Sequence, residues 1–119
     1  MPHALIIEDE MIIAIELEHL LREEGYDSFD IADSPPAALE QALRRRPDLI
    51  TADVRIIGGT GIEAVAEIEA RLGKIAVVYV TGNVDMLRSL EAPAVVEKPI
   101  SPRALTKACR EAQSVAGGL

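Results

Sequence analysis

The sequence predicts an α/β fold, a buried parallel sheet flanked by helices. Two observations carry that prediction. Short apolar runs alternate with longer amphipathic ones along the whole chain, the pattern of strands joined by crossover helices. Four of the apolar runs also end in chemically useful residues. Leu5-Ile6-Ile7 runs into Glu8-Asp9-Glu10, and Leu49-Ile50-Thr51-Ala52 into Asp53. Val77-Val78-Tyr79-Val80 runs into Thr81-Gly82, and Ala94-Val95-Val96-Glu97 into Lys98-Pro99. Parallel strands end on one edge, where open α/β sheets place their ligands. The tips therefore converge on a pocket of carboxylates, one hydroxyl and one lysine, which suits a divalent cation and a phosphoryl group.

The elements follow in order. A first strand is expected over about 3–8 and a first helix over about 10–24, with Gly25 as its C-cap. Ile13, Leu17, Leu20 and Leu21 give that helix its apolar stripe. A second strand is expected over about 28–32. Asp33 or Ser34 caps the second helix, with Pro35 and Pro36 in its first turn, and the helix runs to about Arg46, before Pro47. The third strand is expected over about 48–53, followed by a glycine-rich loop and a third helix over about 61–72. The fourth strand is expected over about 75–80, a short helix over 84–90, and a fifth strand over about 94–97. Ser101 and Pro102 open the last helix, which runs to about 115 and leaves Gly117-Gly118-Leu119 as a frayed end.

Composition narrows the function. At 119 residues the expectation is a single domain over 1–119, with no output domain. The net charge of −8 argues against direct nucleic-acid binding, and aromatics at 3% leave few stacking surfaces. Cys109 has no partner for an internal disulfide, which fits a reducing cytoplasm. No run of about 18 apolar residues is present to span a membrane, and the early acidic residues do not suit a signal peptide.

Each chemical signal has a plain alternative. Glu8-Asp9-Glu10 could be a solvated turn, or charges favoured at a helix N-terminus. With Asp53 nearby, the carboxylates would repel one another unless a cation compensates. Mg²⁺ suits oxygen ligands and phosphate. Asp53 could then be a ligand only, or a ligand and a nucleophile. Lys98, between an apolar strand and Pro99, would hold the oxygens of a transferring group. Thr81 offers a hydroxyl, and Gly82 leaves room for a small donor.

With these residues in place, the chain resembles the receiver domain of two-component response regulators. The matching residues are Glu8-Asp9, Asp53, Thr81 and Lys98-Pro99, in the family's order and over the whole chain. The resemblance implies a flavodoxin-like (βα)5 sandwich of three layers, with strand order 2-1-3-4-5. It implies phosphate transfer to Asp53 from a sensor histidine kinase or histidine phosphotransferase, followed by action on a downstream protein target. The chain would be a phosphoacceptor rather than an enzyme on an external substrate. Mg²⁺ would be held by Asp9, Asp53 and the backbone carbonyl of Arg55, with Glu8 acting through water. It also implies a cis bond between Lys98 and Pro99.

The chain departs from the family pattern in three places. The loop after Asp53 reads Arg55-Ile56-Ile57-Gly58-Gly59 where a Met-Pro or similar pair is usual. The strand-five switch position, usually Tyr or Phe, is Val95. The Thr81–Lys98 span is short, so the fourth helix should be stunted. Tyr79-Val80-Thr81-Gly82 looks like the receiver subclass named for Phe-Ala-Thr-Gly, with Tyr79 and Thr81 as switch residues. Phosphorylation would then reorder residues 82–93, which with the last helix would form the partner surface.

Other readings remain open here. One is a phosphatase with an aspartyl nucleophile, although Arg55 stands where such enzymes usually carry a second aspartate. Another is a degenerate receiver that binds a partner without phosphorylation. Gly58-Gly59-Thr60-Gly61 lacks the Lys-Ser/Thr ending of a nucleotide loop. Arg44-Arg45-Arg46 reads as a solvated helix end. His3 and His19 show no metal spacing, and Cys109 reads as packing.

Overall fold

The computed structural model describes residues 2–90 and 94–116. Among them the chain runs β1 (His3–Ile7), α1 (Met11–Glu23), β2 (Ser28–Ala32), α2 (Pro35–Arg44), β3 (Leu49–Ala52), β4 (Arg55–Ile56) and β5 (Gly59–Thr60). It continues with α3 (Gly61–Leu72), β6 (Ala76–Thr81), a 3-10 segment (Val84–Leu90), β7 (Val95–Glu97) and α4 (Pro102–Ala116). The main sheet is parallel throughout, in the order β2-β1-β3-β6-β7. Counting only its own strands, that is the expected 2-1-3-4-5.

Alternation along the strands divides the core in two. Ile6, Leu49, Val78, Val80 and Val96 face α1 and α4, meeting Leu17, Leu21, Leu105 and Ala108. Leu5, Ile7, Ile50, Ala52 and Tyr79 face α2 and α3, meeting Ala38, Ala42, Ala64 and Ile68. Each fully buried leucine or isoleucine contributes about 1.5–3 kcal/mol. Alanines on α2 and α3 let those helices lie close to the sheet.

Helix ends follow the capping residues. Ser34 caps α2 ahead of Pro35, and Ser101 Oγ accepts from the Ala104 amide ahead of α4. Thr60 caps α3. Its hydroxyl accepts from the Glu63 amide at 3.0 Å and donates to the Glu63 carboxylate at 3.1 Å. Thr60→Ala should therefore cost about 1 kcal/mol. The urea midpoint should fall with an unchanged slope, and an unmoved midpoint would show that the cap contributes nothing.

The structure departs from the sequence reading in three places. Residues 55–60 are not an open loop but a two-stranded antiparallel ribbon, Arg55 opposite Thr60 and Ile56 opposite Gly59. Gly58 turns it at φ 79°, a conformation that favours glycine. The second helix stops at Arg44, because Arg45 is extended at φ −148°. Arg45 Nη1 donates to Ser28 Oγ and Arg46 Nη2 to the Lys74 carbonyl, so two of the three exposed arginines also tie distant parts of the fold together. Residues 84–90 form 3-10 rather than α-helix. That geometry rises about 2.0 Å per residue against about 1.5 Å, which suits the short Thr81–Lys98 connection. Gly117-Gly118-Leu119, expected to fray, and residues 91–93 of the expected switch segment lie outside the described residues.

Candidate functional site

Backbone hydrogen bonds between neighbouring strand ends gather the site. The Asp53 amide donates to the Ile7 carbonyl at 3.0 Å, the Glu8 amide to Ala32 at 2.9 Å, and the Lys98 amide to Thr81 at 3.1 Å. Glu8 and Asp53 sit one residue beyond β1 and β3, Lys98 one beyond β7, and Thr81 ends β6. The four expected tips therefore lie side by side on one edge of the sheet.

Lys98 is at the centre. Its Nζ is 2.8 Å from Asp53 Oδ2, 3.0 Å from Glu8 Oε1 and 3.6 Å from Glu10 Oε2. The bond to Asp53 has hydrogen-bond geometry; the Glu8 contact is an ion pair outside it. The Lys98–Pro99 bond is cis. Burial opposes the Lys98 charge, but pairing with Asp53 and Glu8 outweighs it and raises the amine above its ordinary pKa.

One ammonium pairs with three carboxylates, and Asp9 is a fourth beside them. Glu8 and Asp53 are 2% and 7% exposed, while Asp9 and Glu10 are open to solvent. Asp53 Oδ1 is buried without a hydrogen-bond partner. Oxygens of Glu8, Asp9 and Asp53 lie within 4.8 Å of one another, close enough to share a cation. Burial raises the Glu8 pKa, against the opposing pull of Lys98 and of the Glu10 amide that donates to its Oε2 at 3.1 Å.

That shift has a definite sign. Folded Glu8 holds its proton more tightly than unfolded Glu8. Its contribution to stability is complete below the ordinary value of 4.5 and is lost as pH rises through the higher folded value. In EDTA, the urea midpoint should fall across that interval, and Glu8→Gln should flatten the fall. A slope identical in the variant would exclude Glu8 as its source.

The remaining expected residues are placed as follows. Thr81 is fully buried, and its hydroxyl accepts from the Asn83 amide at 2.9 Å. Tyr79 and Val95 face each other in register on β6 and β7. Tyr79 is buried, which with the nearby Glu69 pushes its hydroxyl up to about 12. Arg55 lies on β4 with its side chain exposed. A Cβ on Gly82 would meet nothing within 4 Å, so the approach beside Thr81 is open. His19 is exposed, and burial pushes the Cys109 thiol up to about 12 in the α4 core.

Two features escaped the sequence reading. Glu10 joins Lys98, and its signal was the third acid of the run. His3 is a buried tie at the opposite end of the sheet. Its ring bonds Ser28 Oγ at 2.8 Å and Asp30 Oδ2 at 2.9 Å, and its amide donates to Asp48 at 2.8 Å. That network joins strands distant in sequence and has no local signature.

Residues 4–110 match the family model for the response regulator receiver domain. The chain is 37% identical over 101 residues to the transcriptional regulatory protein PdtaR of Mycobacterium tuberculosis, covering 82% of this chain and 49% of that protein. It is 32% identical over 111 residues to the aerobic respiration control protein ArcA of Escherichia coli, covering 88% and 45%. The chain thus spans about half the length of the curated relatives it matches. The solution structure of the Erythrobacter litoralis PhyR receiver domain superposes with a TM-score of 0.84 at 29% identity, covering 93% of this chain and 88% of that one.

Proposed function

The chain belongs to the response regulator receiver domain family, and on that premise we propose that Asp53 is its phosphoacceptor. One observation carries the assignment: Asp53 is a buried carboxylate with one oxygen held by Lys98 and the other unpartnered. An Asp53 oxygen attacks the phosphorus of a phosphohistidine, and the P–N bond breaks. The imidazole nitrogen leaves with the electron pair and takes a proton. Lys98 turns its ammonium to the incoming phosphoryl oxygens, where a fixed cation acts on developing charge. Thr81 exchanges its Asn83 contact for a phosphoryl oxygen. Asp9, Asp53 and the Arg55 carbonyl would hold Mg²⁺, with Glu8 supporting it through water, and the metal would supply charge neutralisation at the transferring group. The unpartnered Asp53 oxygen and the excess of carboxylates over ammonium support this ligand set.

The donor is a sensor histidine kinase or a histidine phosphotransferase. A protein donor is supported by apolar side chains exposed beside the acidic cluster. Met11 and Ile12, 59% and 85% exposed, open the helix next to Glu10, and Ile57, 58% exposed, sits in the turn after Asp53. Output passes to a downstream protein. The Tyr79-Val80-Thr81-Gly82 run supports the Phe-Ala-Thr-Gly subclass, with Tyr79 and Thr81 as the switch and Val95 facing Tyr79. No described helix is long and apolar enough to cross a membrane, and we place the protein in the cytoplasm. The test is incubation with acetyl phosphate with and without Mg²⁺, read by intact mass. One added phosphoryl group that requires Mg²⁺ supports the assignment; none in either condition overturns it.

A further inference from the structure

Glu10 departs from local preference at the mouth of the site. It is the N-cap residue of α1, a position that favours Ser, Thr, Asp or Asn, and its side chain makes no capping bond. The carboxylate turns instead to Lys98, with Oε2 3.6 Å from Nζ. Of the three carboxylates around that ammonium, Glu8 and Asp53 are buried, whereas the Glu10 side chain is 65% exposed. Glu10 also stands outside the trio of Glu8, Asp9 and Asp53, whose oxygens lie close enough to share a cation. Among the described residues, Lys98 is its one basic partner. Departures of this kind gather at functional sites.

We propose that Glu10 selects the phosphodonor by the charge of its leaving group, favouring a protonated nitrogen over an acyl oxygen. The proposal rests on Asp53 as the phosphoacceptor and adds the chemical class of the donor. In an in-line displacement the leaving group departs on the side away from the attacking Asp53 oxygen. Asp53 is buried, so that side faces solvent, where Glu10 lies. Once Lys98 has turned to the phosphoryl oxygens, Glu10 loses its partner and only the donor can supply another. In a phosphohistidine or in phosphoramidate the P–N bond breaks, and the nitrogen keeps the electron pair. That nitrogen is protonated, so it presents positive charge to Glu10 as the bond opens. In acetyl phosphate the P–O bond breaks, the oxygen keeps the electron pair, and acetate leaves with a negative charge that Glu10 repels. Acetyl phosphate is thereby slowed rather than excluded.

The test is the rate of Asp53 labelling by acetyl phosphate and by phosphoramidate, each read by intact mass at saturating Mg²⁺. Glu10→Gln should raise the ratio of the acetyl phosphate rate to the phosphoramidate rate about threefold, the size expected of one unit charge a few ångströms away through water. Glu10→Asp keeps the charge and should keep the ratio of the parent. Added salt should shrink the difference between Glu10→Gln and the parent. A ratio taken within one protein is unmoved by a misfolded fraction, or by a shift of Lys98 that slows both donors alike. An unchanged ratio in Glu10→Gln, with both donors faster or slower together, would overturn the proposal and leave Asp53 as the acceptor. No labelling of the parent by either donor would instead strike the phosphoacceptor assignment, and this proposal with it.

Discussion

Replacing Asp53 with Asn should abolish acquisition of the phosphoryl group while leaving the chain folded. The amide has the same shape and can still accept from Lys98, so the 2.8 Å contact has a successor. What it lacks is the anionic nucleophile. Burying one carboxylate fewer also relieves repulsion with Glu8, so stability should hold or rise in the absence of metal. With acetyl phosphate and Mg²⁺, intact-mass spectra should show one added group on the parent and none on the variant. Equal labelling of both would move the acceptor elsewhere. A variant that unfolds would instead give Asp53 a structural role that its unpartnered oxygen does not suggest.

Gly61→Ala should be the most destabilising single methyl in the protein's functional region. A Cβ built on Gly61 would lie 1.9 Å from the Asp53 carbonyl oxygen and 3.2 Å from the Ala52 side chain. Neither the Gly61 amide, bonded to the Val54 carbonyl at 2.9 Å, nor the Asp53 backbone can move without disturbing the site. Overpacking against side chains commonly costs about 1–3 kcal/mol, and a clash with backbone belongs at the top of that range or above it. Urea denaturation should show a large fall in midpoint. Whatever folded protein remains should take phosphate from acetyl phosphate more slowly, because the displaced atoms belong to Asp53. A variant as stable and as reactive as the parent would mean that the start of α3 yields without cost.

Most of the site was legible because its residues share one structural reason for their positions. Each ends or follows an apolar run, and parallel strands bring such ends to a common edge. Glu8, Asp9, Asp53, Thr81 and Lys98 could thus be placed by pattern alone. Glu10 was harder, since a third acid in a run reads equally well as solvated turn. Arg45 and Arg46 read as a helix end, because nothing local shows that Ser28 and the Lys74 carbonyl lie within reach. His3 was missed for the same reason. Its partners Ser28, Asp30 and Asp48 are contributed by chain that lies far along the sequence.

The sequence by itself determined the alternation of strand and helix, the capped helix starts, and which residue types stand at the strand tips. Those features depend on periodicity, on backbone preference and on the shared direction of parallel strands, all of which act locally or repeat regularly. Only the tertiary structure decided the rest. It gave the Lys98 ammonium to Asp53, Glu8 and Glu10 together, and left one Asp53 oxygen bare. It brought Gly61 so close to the Asp53 carbonyl that only hydrogen fits. It made the 84–90 segment 3-10 rather than α-helix. These outcomes depend on distances between segments, which no single stretch of sequence carries.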